Sequence, residues 1–225
     1  MKAIRCGERR YSPGKVVCVG KNYTDHIKEM GGRANDRPEV PTIFMKPSTS
    51  VVSGEEAVFI PLELGLLHHE VELCFVIGKD CKDVPAGEAP SFIAGYGVGI
   101  DFTLRDMQAA AKKAGGPWAL SKGFDSSAVF GEFAPAGDVA DPCALAISLA
   151  IDGKVKQDGS TREMIFSPAA ILAYVSRFMT LEEGDVLMTG TPAGVGEVKH
   201  GDAIEALVEG LPALRFAVLR HRSAC

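Results

Sequence analysis

Apolar positions along this chain fall into short runs rather than long periodic stretches, which predicts a protein built chiefly of strands. The runs at 15–20, 58–61, 73–77 and 93–100 are too continuously apolar to alternate, so they read as strands buried on both faces. Residues 42–52 read as a strand, a turn at Pro47-Ser-Thr, and a second strand. Asp152-Gly153 sits between the apolar runs 145–151 and 155–157, a strong hairpin signal. Further strands are expected within 181–189 and at 203–208 and 214–219.

Helical patterning is confined to three places. Residues 104–114 are rich in helix formers, carry Lys112 and Lys113 near the end, and stop at Gly115-Gly116, with Thr103 as the expected N-cap. Residues 168–179 form a second helix, with Pro168 in its first turn and Ser167 as cap. A short third helix starts at Thr24 or Asp25 and ends at Gly31-Gly32. The segment after it is polar with two prolines, so residues 21–41 read as a lid. Many strands with few helices imply an α+β fold dominated by sheet, and no repeat or linker divides residues 1–225.

Composition narrows the function classes. A chain of 225 residues can bury one sizeable core. Its net charge of −5, with both signs interspersed, speaks against a nucleic-acid binder. No apolar run approaches a membrane span, and the first residues are polar and arginine-rich, without an export signal. The six cysteines form no Cys-x-x-Cys pair and are expected to be reduced packing residues of a cytoplasmic protein.

Candidate chemistry starts at His68-His69-Glu70-Val71-Glu72. Glu70 and Glu72 are two apart, so on a strand they share a face, roughly 7 Å from each other. Neighbouring carboxylates in an apolar setting need a proton or a cation between them. Asp101 closes the glycine-rich run 93–100 and can add a third carboxylate. Three carboxylates and no thiolate suit Mg²⁺ or Mn²⁺ better than Zn²⁺. The alternative is that the two glutamates lie on the wet face of a half-exposed strand. His68 and His69 are expected to pack behind such a site rather than ligate. On the short third helix His26 and Glu29 are three apart and share a face, the arrangement of a base and its orienter. Spacing alone favours an ordinary surface pair. Arg105 and Gln108 lie near the start of the 104–114 helix and can face whatever Asp101 binds. Lys46 interrupts an apolar run and can meet an anion or snorkel to water. Lys122 lies in a loop between a hydroxyl and a glycine, and Thr191 in the loop Gly190-Thr-Pro-Ala-Gly-Val-Gly196, which lacks the lysine of a nucleotide P-loop.

Taken together, Val17-Cys-Val-Gly-Lys-Asn-Tyr23, His26, Phe44-Met-Lys-Pro-Ser-Thr-Ser50, His68-His-Glu-Val-Glu-Leu73, Ala94-Gly-Tyr96, Asp101-Phe-Thr-Leu-Arg-Asp106, Pro117-Trp118, Lys122-Gly-Phe-Asp125, Met164-Ile-Phe166 and the 190–196 loop occur in an order, from about residue 15 to 210, that closely resembles the fumarylacetoacetate hydrolase family. The resemblance is greatest to its small branch of acylpyruvate hydrolases and oxaloacetate decarboxylases. It implies a mixed β-sandwich roll with flanking helices and a homodimer. It also implies Mg²⁺ ligands at Glu70, Glu72 and Asp101 and a catalytic dyad at His26 and Glu29. It sets Lys122 and Gln108 around the substrate oxygens, with Arg105, Lys46 and Thr191 as further contacts. Many relatives have a proline after the position of Asp125, where this chain reads Ser-Ser-Ala-Val-Phe-Gly.

The activity this implies is metal-dependent hydrolysis of the carbon–carbon bond of an acylpyruvate, such as acetylpyruvate or fumarylpyruvate, through a pyruvate enolate. Oxaloacetate decarboxylation and isomerisation or tautomerisation of unsaturated 2-oxo dicarboxylates use the same parts. A non-catalytic metal-binding module is the alternative from another class.

Overall fold

A computed structural model describes residues 3–29, 31, 37–54 and 57–221. The expected lid at 21–41 therefore lies partly outside the described residues, at 30 and 32–36.

The largest sheet has eight strands. Seven run in the order Thr42–Pro47, Lys15–Gly20, Val186–Met188, Val71–Ile77, Ile93–Asp101, Ala128–Phe130, Val51–Ser53, and Ala134–Pro135 pairs with Ile93–Asp101. It is mixed: Val186–Met188 runs parallel to Lys15–Gly20 and antiparallel to Val71–Ile77. A five-stranded sheet, Lys154–Ser160, Ala146–Ile151, Ala203–Val208, Leu214–His221, Ala57–Pro61, packs over it. A three-stranded sheet joins Thr103–Leu104, Leu67–His69 and Gly196–Glu197, and a two-stranded one joins Ile4–Cys6 and Arg9–Tyr11. The helices are α1 (Thr24–Glu29), α2 (Arg105–Ala114), α3 (Ala119–Lys122) and α4 (Pro168–Ser176). None is long and apolar enough to cross a membrane.

The continuous apolar run at 73–77 is explained by two cores. Leu73, Phe75 and Ile77 face the main core shared with Leu149, Ile204 and Phe216 of the five-stranded sheet, while Cys74 and Val76 face a second core with Phe130, Phe133 and Met188. Glycines in the neighbouring strand make room for that second core. A Cβ on Gly97 would lie 2.1 Å from the Phe133 ring, and one on Gly99 would lie 2.6 Å from Cys74 Sγ. Gly99 is also the register partner of Glu72, so Glu72 emerges on that glycine-lined face.

Local signals hold well at the turns. Asp152 and Gly153 both take positive φ, 49° and 74°, as a tight hairpin requires. Ser167 Oγ accepts from Ala170 N, and Gly115 closes α2 at φ 65°. Thr103 differs from expectation. It belongs to a short strand, Leu104 occupies the N-cap, and the Thr103 hydroxyl donates to Glu70 Oε1 at 3.1 Å. Within the loop expected at 117–125 the chain makes the single turn α3, and α4 ends at Ser176 rather than at residue 179. Cys6, Cys18, Cys74, Cys81 and Cys143 are free thiols, the first four buried.

Candidate active site

Glu70 lies at the corner where the chain leaves the strand Leu67–His69 and enters Val71–Ile77. Its backbone carbonyl accepts from Asp101 N at 2.9 Å, which locks the ends of two adjacent strands together. Carboxylate atoms of Glu70, Glu72 and Asp101 all lie within 4.8 Å of one another, and all three side chains are buried. The wet-face alternative is thereby excluded.

Cations surround this cluster unevenly. Lys122 Nζ donates to Glu70 Oε2 at 2.9 Å, Asp101 Oδ2 at 2.6 Å and Thr103 Oγ1 at 2.6 Å. Arg105 Nη2 donates to Glu70 Oε1 at 2.5 Å and its Nη1 to Gln108 Oε1 at 2.6 Å. Burial alone would push the Glu70 carboxyl up, but Lys122 and Arg105 outweigh it and hold Glu70 well below the usual range. The same pairing, working against burial, raises Lys122. Among the described residues no cation is in hydrogen-bond contact with Glu72. Its Oε2 accepts from Gly190 N at 2.6 Å, and burial, with Asp101 and Glu70 beside it, drives its carboxyl well above the usual range.

These residues fit a hard divalent cation. Lys46 Nζ approaches Asp101 Oδ1 at 2.8 Å but not in line for a hydrogen bond, so Oδ1 is a buried oxygen without a hydrogen-bond donor. Together with the Glu72 carboxyl, whose hydrogen bond comes from the Gly190 amide rather than a cation, it offers open oxygen ligation, the donor set of Mg²⁺ or Mn²⁺.

A cavity of 410 Å³ opens in front of the cluster. Of the residues singled out in the sequence, His26, Glu70, Glu72, Arg105, Gln108, Lys122 and Thr191 line it. His26 reaches it from α1, with Nδ1 3.2 Å from Glu29 Oε2. Glu29 in turn accepts from Gly194 N, so the surface pair favoured by spacing is instead tied to the loop beyond Thr191. Asn22 anchors the start of this segment through Phe166 and Thr189. Gly190 takes φ 93°, and a Cβ there would meet Asn22 Cβ at 2.9 Å.

Lys46 stands apart from the cavity lining. Its ammonium is buried beneath the cluster, bonded to the carbonyls of Phe102 and Lys122 as well as paired with Asp101. His68 and His69 are outside the cluster. His69 Nδ1 meets Gln157 Oε1 at 2.8 Å, and because that oxygen also accepts from Val71 N, His69 must be the donor. The other end of Gln157 donates to Thr191 Oγ1 and Pro192 O, which pins the 190–196 loop. Lys21, Lys112 and Trp118 also line the cavity and were not singled out as site residues. For Lys112 the available signal was its helical spacing from Arg105 and Gln108.

This geometry has close counterparts. The model of the fumarylacetoacetate (FAA) hydrolase C-terminal domain matches residues 15–219. The chain belongs to the fumarylacetoacetate hydrolase family. Among its relatives is the mitochondrial oxaloacetate tautomerase FAHD1 of Bos taurus, 43% identical over 98% of this chain and 99% of that protein. The crystal structure of fumarylpyruvate hydrolase from Pseudomonas aeruginosa, in complex with Mn²⁺ and pyruvate, superposes with a TM-score of 0.90 at 36% identity, over 97% of this chain and 96% of the other. The 5-carboxymethyl-2-hydroxymuconate delta-isomerase of Mycobacterium smegmatis superposes with a TM-score of 0.83 at 38% identity, covering 95% of this chain and 82% of the other. Family members are thus hydrolases and isomerases on one β-rich fold, the fold found here.

Proposed function

We propose that this protein is a divalent-metal-dependent enzyme that interconverts the enol and keto forms of oxaloacetate. The observation that carries the reading is that Glu70 and Glu72, with Asp101 clustered against them, share one cavity with an oriented histidine. Bound at Glu70, Glu72 and Asp101, Mg²⁺ or Mn²⁺ supplies a Lewis acid for the 2-oxo acid end of the substrate.

The chain's own residues account for the proton transfer. Glu29, fixed by Gly194 N, accepts from His26 Nδ1 and so leaves Nε2 as the basic ring nitrogen. In the enolising direction His26 takes a proton from the carbon next to the 2-oxo group, negative charge develops on the 2-oxo oxygen, and that oxygen takes up a proton from solvent to give the enol. In the reverse the enol oxygen gives up its proton and His26 returns one to the carbon. Lys122, Arg105 and Gln108 supply donors on that wall of the cavity. Val19, Ile27 and Phe44 add apolar wall that limits water.

Proton transfer takes precedence over the hydrolysis expected from the sequence because identity to the oxaloacetate tautomerase is 43%, against 36% to the fumarylpyruvate hydrolase, at similar coverage. Hydrolysis of an acylpyruvate is the second reading, supported by the superposition on a fumarylpyruvate hydrolase. There the same dyad would activate a water.

The test is to strip the protein of metal, restore Mg²⁺, and follow decay of enol-oxaloacetate by ultraviolet absorbance. Pyruvate release from acetylpyruvate, fumarylpyruvate and oxaloacetate is followed in parallel. Mg²⁺-dependent acceleration of enol decay, lost in His26→Ala, is the expected result. Faster turnover of an acylpyruvate would favour hydrolysis, and no turnover of any would leave a metal-binding module.

A further inference from the structure

Helix α2 places Arg105, Gln108 and Lys112 at three- and four-residue spacing on one face, and all three line the cavity. Arg105 and Gln108 are bonded to each other, and Arg105 to Glu70. Lys112 has no carboxylate partner among the described residues. Its ammonium lies 5.2 Å from the centroid of the Trp118 ring, and Trp118 leans on Phe44 with centroids 5.9 Å apart. The indole face orients the ammonium without neutralising it. Lys21 lines the same cavity, with φ 60°, and it too has no ion pair among the described residues. Seven residues of helix carry Lys112 about 10 Å beyond Arg105 along the axis. The cavity therefore has a second cationic end, beyond Arg105 on the helix. Partial burial lowers Lys112 from the usual lysine range, Arg105, Lys21 and Lys122 add to the effect, and Glu70 opposes it. Lys112 and Lys21 both keep access to solvent, so an incoming carboxylate can reach them.

We propose that Lys112, seated on Trp118 with Lys21 beside it, binds a carboxylate at the far end of the substrate and makes the enzyme selective for 2-oxo dicarboxylates over 2-oxo monocarboxylates. This deepens the proposed function and rests on it, since it takes the triad as the place where the 2-oxo acid group sits. It accounts for a lysine whose ammonium is held over a tryptophan ring, which helix-end charge alone would not require.

Two acids of equal chain length test it: 2-oxoglutarate, with a distal carboxylate, and 2-oxopentanoate, with a methyl in its place. Calorimetric titration of the Mg²⁺-loaded wild type should show 2-oxoglutarate binding about tenfold tighter, the size of one charge-assisted contact. Lys112→Met should erase that preference and leave 2-oxopentanoate affinity unchanged, while Lys112→Arg restores much of it. With oxaloacetate the loss in Lys112→Met should fall on KM rather than kcat. Equal binding of the two acids by the wild type, or an equal effect of Lys112→Met on both, would overturn the proposal and make Lys112 a packing residue. If neither acid binds the Mg²⁺-loaded wild type, the 2-oxo acid reading fails first, and this inference falls with it.

Discussion

The backbone N–H of Gly194 donates to both carboxylate oxygens of Glu29, at 3.0 and 3.2 Å. A residue late in the chain thus aims the orienter of His26. Gly194 has no substitute here: its φ is 95°, and a Cβ would lie 2.2 Å from Lys156 O.

Glu29→Gln should lower kcat for enol–keto conversion by on the order of 10²-fold, because the imidazole loses the charge that sets its tautomer. Mg²⁺ affinity should be unchanged, since Glu29 is outside the triad. Gly194→Ala should give a similar kcat defect by moving the amide instead of the carboxylate. Initial rates and Mg²⁺ titration of both variants check this.

Glu72→Gln should abolish Mg²⁺ binding while keeping the shape of the side chain. At a hundredfold excess over Kd, a ligand bound only by the folded state adds about 2.7 kcal/mol of stability. The wild type should show that gain in urea unfolding with Mg²⁺, and the variant none.

Lys46 and Asp101 are both buried, and removing Lys46 leaves Asp101 with Lys122 as a partner but takes the donor from the carbonyls of Phe102 and Lys122. Lys46→Met should cost about 1 to 3 kcal/mol. The unfolding midpoint in urea should fall with its slope unchanged. The substrate KM of whatever folded enzyme remains should move little, since Lys46 does not line the cavity.

Tyr96, packed beside Phe75 in the main core, supplies a pH dependence. Burial, with a small addition from Cys143, pushes its phenol up to about 12. Between the ordinary value of 10.0 and about 12 the unfolded chain has released this proton and the folded chain holds it. Fewer protons on the unfolded state mean that stability falls as pH rises through this window. The loss should total roughly 2 to 3 kcal/mol. Tyr96→Phe should remove that part of the decline when urea unfolding at pH 8 is compared with unfolding on the alkaline side.

The triad was legible in the sequence because strand periodicity puts Glu70 and Glu72 on one face whatever the tertiary context. Asp101 followed, as the end of an apolar run. The strand runs and hairpin were readable for the same reason: continuous β-branched and aromatic residues between turn formers leave few alternatives. Other features were hidden by physics that sequence spacing does not encode. Gly194 acts through its backbone N–H, which every residue but proline has. Thr103 has the side chain of a helix cap, yet its hydroxyl is taken by Glu70, a partner 33 residues away. Lys112 read as a charge complementing a helix end, and only the approach of Trp118 shows that it turns into the cavity. The dyad lay between these cases. Its spacing was visible, but a surface pair and a catalytic pair differ only in what Glu29 meets across the fold.

The position of Val186–Met188 bears on how the molecule is made. This strand follows every other strand of the eight-stranded sheet in chain order, yet it fills the gap between Lys15–Gly20 and Val71–Ile77. Until it arrives, a nascent chain exposes two unpaired edges, the templates for pairing with other chains. Gly190 and Thr191, which follow it, complete the cavity wall. Competence is therefore acquired in one late step rather than gradually. Such distant pairings fold slowly, and a chain truncated before residue 186 is expected to aggregate rather than to retain partial activity.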